Sequence, residues 1–459
     1  MRIEILVNSY ACSVAEKGCV QSMRKIMILV LVLCVLSTIA GCAEQGGVVP
    51  TNHTQAPTQA LPVTEPEGEG TEPETMPSEA TMPEETLPEE TIPVAERIEE
   101  GYAITLDGAD ITGSLRPQTY YQINGIDVDQ RLMITSEEPF ESLYLKWYKH
   151  PGLFTLTWEG GSLECGAEGF LHDYIRLPEE ITAVVFVFAE SEDALISEIS
   201  LYTHGTAPEG VQDWLEPCDT ADIQVFPTHA DDALFFGGEI SYNAIEKELT
   251  VQTAFMTDHV EDPVRNHERL DGLWEMGVRH YPIVGSAWDH YTESVYEAYL
   301  YHANDDILGW QVEQIRRFKP LVVLGHDLNG EYGHKQHIMN AEYLVQAVEL
   351  AADPKQYAES ADQHGPWDTP KFYLHLYGEN GIVFDVNTPL KKDAKGRTPV
   401  AIAETAYRCH LSQRRLWFTV SQDPNSPLDC TRFGLYRTLV GYDSGADMME
   451  NIDRETWRQ

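Results

Sequence analysis

Residues 227 to 238 read PTHADDALFFGG. A histidine and two adjacent aspartates lie within four positions at the end of an apolar run, where an unpaired charge is costly to bury. A metal ion would relieve that cost. His229 and Asp232 are three apart, so on a loop entering a helix both can face one point. Imidazole nitrogen and carboxylate oxygen are donors that zinc accepts, and three protein donors leave the open position a catalytic site needs. The third donor must come from elsewhere in the chain. Residues 329 to 337, NGEYGHKQH, follow another strand end and offer His334 and His337 on one turn.

The elements that must position these residues are legible as alternating strands and helices after Pro217. The pattern predicts strands over 223–226 and 250–256, a helix over 234–246, and a helix over 308–318 that runs through Pro320 into a strand over 321–324. Such alternation specifies a Rossmann-like α/β domain over 217–459 with a mostly parallel sheet, whose sites form at the carboxyl ends of the strands. Both motifs fall at such ends. Between 101 and 206 the chain instead shows short β-type runs, at 103–106, 143–148, 154–158, 183–189 and 196–202, bounded by Gly, Pro, Asp or Glu clusters. An all-β sandwich of jelly-roll type fits this stretch. Its closing ISEISLYTHG, followed by VQDWLEP, resembles the end of modules that accompany extracellular sugar-active enzymes; a spacer domain is the alternative.

The strand-end HADD with its trailing Gly237-Gly238, the later Tyr332-Gly333-His334-x-x-His337, and the intervening Arg265-x-x-Glu268 with Gly277-Val278 resemble the PIG-L or LmbE-like deacetylases over about 217 to 440. That family includes zinc-dependent enzymes that remove acetyl from N-acetylglucosamine units. The resemblance implies that His229, Asp232 and His337 hold the metal. It implies that Asp231 is the general base taking a proton from water, and that His334, as imidazolium, stabilises the oxyanion and protonates the leaving amine. Tyr332 matches a tyrosine that donates to the same oxyanion, and Arg265 and Asp289 match positions that contact sugar hydroxyls. Zinc is the implied ion, with iron or manganese also compatible with these donors. Two departures stand out. Where the family reads HPDDE this chain has Ala230 and Ala233, and where it reads GHPDH this chain has Gln336 in the place of a carboxylate. Neither removes a donor, the base or the acid, but the hydrogen bonds that orient the metal ligands must differ.

Other residues read as structural. Trp367, Tyr373 and Tyr377 suit core packing better than a sugar-stacking wall. Cys409-His410 near Ser412-Gln413 resembles a family His-x-Ser-Gln signature, without a second nucleophile. Two disulfides are possible among Cys165, Cys218, Cys409 and Cys430, and Cys409 with Cys430, flanking one short segment, is the first pair to test.

The formal charge of -43 and the lack of a basic patch exclude nucleic acid as a partner. The 42% hydrophobic and 10% aromatic content is that of a folded protein with a large core. Residues 23 to 42, MRKIMILVLVLCVLSTIAGC, place Arg24 and Lys25 before an apolar run too short to span a bilayer, which reads as a secretory signal within residues 1–42. Ile39-Ala40-Gly41-Cys42 resembles the bacterial lipobox, which implies a chain anchored by lipid on Cys42 to the extracellular side of the membrane. If Met23 is the start, Cys12 and Cys19 are never made. Residues 43–100 are rich in Glu, Pro and Thr, with a near repeat in PEETLPEETIP, and read as an extended linker. The sequence therefore predicts a lipid-anchored deacetylase of N-acetylated amino sugars. A non-catalytic glycan binder and an amidase acting on a non-sugar amide are the alternatives.

Overall fold

The computed structural model describes residues 92–117, 123–188, 194–414 and 418–458, all of which belong to one compact unit. The signal segment, Cys42 and most of the linker lie outside the described residues. The linker's last stretch departs from the expected extended stalk. From residue 92 it runs along the first sheet, with Ala95 and Ile98 buried and their N–H groups donating to Thr206 and Leu201. Apolar side chains begin there to outnumber the glutamates, so this stretch has surface to bury.

The first sheet is antiparallel. Its strands are β1 (Tyr102–Leu106), β2 (Ala109–Asp110), β3 (Asn124–Ile126), β4 (Leu132–Lys149), β5 (Phe154–Trp158), β6 (Gly161–Cys165), β7 (His172–Phe188) and β8 (Ala194–Tyr202). Hydrogen bonding runs through one continuous eight-stranded ladder, with β4 at its centre between β1, β7 and β8, where the sequence had suggested the two sheets of a sandwich. The reason lies in β4 and β7, which are 18 and 17 residues long and carry the pairing from one half of the sheet to the other. Their register shifts between Thr135 and Phe140, where Glu137, Glu138 and Pro139 interrupt the ladder. Extra residues and a proline at such a point bend a strand without ending it.

The second sheet comprises β9 (Ile223–Val225), β10 (Val251–Asp258), β11 (Ile283–Trp288), β12 (Val322–Gly325), β13 (Lys371–His375), β14 (Gly381–Val383) and β15 (Arg432–Thr438), in the order β11-β10-β9-β12-β13-β15-β14. The first five strands in this order pair in parallel, and β15 and β14 add antiparallel at one edge. The helices used below are α1 (Ala233–Ser241), α2 (Val264–Glu275), α3 (Val295–Tyr301), α4 (Ile307–Phe318), α5 (Lys335–Ala352), α6 (Ala358–His364) and α7 (Pro399–Cys409). From β9 the chain winds outward through β10 to β11 and then returns to place β12 on the other side of β9. That reversal is a topological switch point, and the loops after β9 and β12 diverge around a crevice there. The HADD and GHKQH motifs are on those two loops.

All four described cysteines are free thiols, so the Cys409–Cys430 pair does not form. The Cys409 S–H faces the Thr405 carbonyl one turn back in α7, while Cys430 is buried beside Gly238 of α1. Among the described residues no helix is long and apolar enough to cross a membrane.

Candidate metal centre and active site

The loop after β9 is held rigid before any metal is considered. Asp232 accepts the N–H of Thr228 at 2.9 Å and of His229 at 2.7 Å, and Ala230 N–H donates to His259 Nε2 at 3.1 Å. Asn340 of α5 donates to the Phe226 carbonyl and to Thr228 Oγ1, tying the second motif's helix to the first motif's loop. The other loop turns sharply. Gly330 has φ 66°, and a Cβ there would lie 2.4 Å from the His334 carbonyl oxygen; Tyr332 is held at φ 46°, a left-handed conformation costly for a tyrosine. His334 then starts α5 and points back over the crevice.

The structure brings His229, Asp232 and His337 together. His229 Nδ1 lies 3.0 Å from His337 Nε2 and 3.4 Å from Asp232 Oδ2, and His337 Nε2 lies 3.2 Å from Asp232 Oδ1. Bonds of about 2.0–2.1 Å at tetrahedral angles would separate donors by about 3.3 Å, close to these spacings, with one Asp232 oxygen facing each imidazole. The hydrogen bonds at the far sides of the rings agree. Gln336 donates from its amide nitrogen to the Trp288 carbonyl at 3.0 Å, which turns its oxygen toward His229 Nε2 at 2.9 Å. His229 must therefore carry a proton on Nε2 and present its Nδ1 lone pair inward. His337 donates from Nδ1 to Glu331 Oε2 at 2.8 Å and presents Nε2.

A second set, Asp232, His326 and His337, also converges. His326 is the weaker donor, because its Nδ1 is on Glu331 at 2.8 Å and its Nε2 receives the Thr228 N–H at 3.0 Å. His334 groups with His229 and His337 as well, and its Nδ1 is buried without a partner.

The remaining expected residues surround this cluster. A cavity of about 350 Å³ is lined by His229, Asp231, Asp232, Arg265, Asp289 and Tyr332, with His334, Tyr291, Gln413 and Phe418 completing the wall. That volume suits a small ligand. Arg265 of α2 spans the two acids: one nitrogen donates to Asp231 Oδ1 at 2.7 Å and another to Asp289. Burial opposes the charge of His229, but Asp289 and then Asp232 outweigh it and hold the ring at about 9. His334 goes the other way. Burial first, then the neighbouring His229 and His337, pull it down to about 2, so the ring stands neutral here, where the resemblance implies an imidazolium. Burial, followed by Asp232 and Asp231, pushes the Tyr332 phenol well above its ordinary value and keeps it an O–H donor.

No family model matches the chain. A 1D-myo-inositol 2-acetamido-2-deoxy-alpha-D-glucopyranoside deacetylase of Streptomyces avermitilis is 28% identical over 179 residues, covering 32% of this chain and 60% of that protein. The enzyme of the same name from Rhodococcus erythropolis is 38% identical over 78 residues, covering 17% of this chain and 25% of that protein. The chain therefore spans less than two thirds of these relatives. The N,N'-diacetylchitobiose deacetylase of Pyrococcus horikoshii overlays with a TM-score of 0.32 at 17% identity, over 44% of this chain and 75% of that one, a likeness too low to carry weight. Over the matched stretches the chain is similar to these sugar deacetylases.

Within this site, several buried residues that organise it had gone unread in the sequence. Glu331 is fully buried and its carboxylate takes His326, His337 and His375, each at 2.8 Å, together with the Asp327 N–H. Burial would raise it, but His326 and the other imidazoles hold it well below the usual carboxylate range. His302 accepts from the Gln336 amide at 2.9 Å and donates to Asp305 at 2.8 Å, extending the support of His229 outward. Trp288 and Tyr291 flank the site, while Trp367 and Tyr373 hydrogen-bond the Pro320 carbonyl and Asp443, away from the cavity. Gln413 reaches the cavity wall, and Ser412 instead donates to Glu268. The sequence signals were present, a glutamate inside the second motif and an aromatic pair beside Asp289, but nothing local gave them roles.

Proposed function

We propose that this protein is a metal-dependent hydrolase that removes acetyl from N-acetylglucosamine-type amino sugars in a glycan or glycoconjugate. The observation that carries the reading is the convergence of His229 Nδ1, Asp232 and His337 Nε2 on one point in a cavity whose wall holds Asp231, His334 and Tyr332. A divalent ion at that point, zinc by the choice of donors, would polarise the amide carbonyl and acidify water. Asp231, oriented by Arg265, accepts the proton from that water. The Tyr332 hydroxyl donates to the oxygen that becomes negative. His334, neutral at rest and with Nδ1 unpartnered, relays to the leaving amine the proton that Asp231 takes from the water, so the proton count closes. Arg265 and Asp289 offer hydrogen bonds to sugar hydroxyls.

The reading is tested by acetate release from a panel of N-acetylated mono- and oligosaccharides, with metal analysis alongside. Asp231→Asn keeps the shape and loses the base, so turnover falls by roughly 10²- to 10⁴-fold with metal content near normal. Asp232→Asn loses metal and activity together. Acetate from none of the sugars with the metal-loaded wild type would overturn the assignment. We propose in addition that the chain is held at the extracellular side of the bacterial membrane through lipid on Cys42. A fatty-acid probe that labels Cys42→Ala as strongly as the wild type would remove that claim.

A further inference from the structure

A smaller cavity of about 160 Å³ adjoins the one described, and Arg265 and Asp289 line both. The Arg265–Asp289 ion pair thus borders both spaces. The smaller one is bounded by Trp288, at the carboxyl end of β11, and by the acidic segment of Asp258, Val260, Glu261 and Asp262. Trp288 is 51% exposed, and Tyr291, on the rim of the larger cavity, is 75% exposed. Large rings left in water beside a catalytic cavity mark a contact surface, since core packing would have buried them. Further exposed rings follow closely, at Tyr296 and Tyr301 of α3.

The chemistry of the lining narrows the occupant. Planar rings accept the C–H face of a pyranose, and carboxylates accept its hydroxyls. Arg265 is the one guanidinium among the lining residues, and Asp231 and Asp289 already engage it. A chain with a formal charge of -43 offers no further attraction to an anion here. His259, also lining the space, is held neutral by burial first and then by Arg265. Uronates, sialates and phosphates are therefore disfavoured, and a neutral or amine-bearing sugar is favoured.

We propose that this adjoining cavity is a second sugar subsite, with Trp288 as its stacking surface and Asp258, Glu261 and Asp262 as hydroxyl or ammonium acceptors, so that the substrate is an oligosaccharide placed across both cavities. The inference rests on the deacetylase reading for its direction, but its test does not. Calorimetric titration of the full zinc-loaded chain, carrying Asp231→Asn to prevent turnover, uses N-acetylglucosamine, its β-1,4-linked trimer, and a galacturonic acid trimer. The N-acetylglucosamine trimer binds roughly tenfold more tightly than the monosaccharide, the size of one good ring contact. Adding Trp288→Ala removes that difference, Trp288→Tyr restores most of it, and the anionic trimer does not bind. Equal affinity for monomer and trimer, a trimer affinity insensitive to Trp288→Ala, or binding of the galacturonate trimer would each overturn the proposal. So would a dimer in sedimentation that is lost with Trp288→Ala, because the ring would then meet a second copy of the chain. Trimer binding that depends on Trp288, combined with no acetate release by the wild type, sinks the catalytic reading and leaves the subsite standing.

Discussion

Gln336 occupies a position where the family often has a carboxylate, and its hydrogen bonds show what a neutral amide does there. It fixes the His229 ring through Nε2–H as a carboxylate would, while its own amide is fixed by the Trp288 carbonyl and by His302. Orientation is kept; the negative charge that would make His229 a stronger donor is not. Gln336→Ala should therefore lower zinc affinity by roughly 10- to 100-fold, the usual cost of losing such an orienting partner, as read by competition with a chelator. Affinity equal to wild type would show that the ring is positioned by packing alone. The same titration has a pH dependence of known sign. The proton that must leave His229 before a metal can bind is held at about 9, raised by Asp289 and Asp232 against the cost of burial. Apparent affinity should rise by up to about tenfold per pH unit and level off near pH 9, since metal and proton compete for one lone pair. A titration flat between pH 6 and 9 would remove His229 from the ligand set. At this scale the three proposed metal donors were legible as candidates, because each sits in a short motif with a helical or turn spacing. Glu331 and His326 were not, because what gives them a role is the meeting of β12, β13 and α5 around one buried carboxylate, and no local pattern encodes that meeting.

The elements explain why two motifs about a hundred residues apart form one site. β9 and β12 are neighbours, and each hands its chain to a loop over the same crevice. Strand–helix alternation predicted this arrangement, with boundaries within a few residues: α4 begins at Ile307 and β10 ends at Asp258. The first sheet was less legible. Only parts of β4 and β7 were read as strands, because Glu-Glu-Pro and Pro-Glu-Glu in their middles look like turns, yet the ladder continues through both. Long-range pairing with a neighbouring strand overrides the local signal there. The turn from β12 to α5 is the element on which the site most depends. Its Gly330 has a positive φ and no room for a methyl group against the His334 carbonyl and Ile338. Gly330→Ala should shift the start of α5, lowering stability by about 1–3 kcal/mol and weakening metal binding with it. Thermal denaturation and zinc content measured together check this, and an unchanged zinc content would mean that His337 is held independently of the turn.

The two sheets are joined through their cores as well as by the chain between them. Phe170, from the segment between β6 and β7, belongs to the apolar cluster that contains Ile223 and Val225 of β9 and Phe235 of α1. Its ring stacks on Tyr281 with centroids 4.5 Å apart, and the Tyr281 hydroxyl accepts the Leu171 N–H at 3.0 Å. Beside this contact, His172 bonds His267 of α2 at 2.9 Å and Gln212 at 2.7 Å, and Gln212 donates to Asp271. Helix α2 also carries Arg265, so the first sheet braces the helix that orients the proposed base. A spacer loosely tethered to an enzyme would share no core with it. The chain should therefore unfold as one cooperative unit, with tryptophan fluorescence and circular dichroism giving the same midpoint. Phe170→Ala, which empties a buried ring position, should cost about 3–5 kcal/mol and move both signals together. If instead the variant splits the transition in two, with the α/β part melting at its original midpoint, the first sheet is an independent domain and its bracing of α2 contributes nothing to the site.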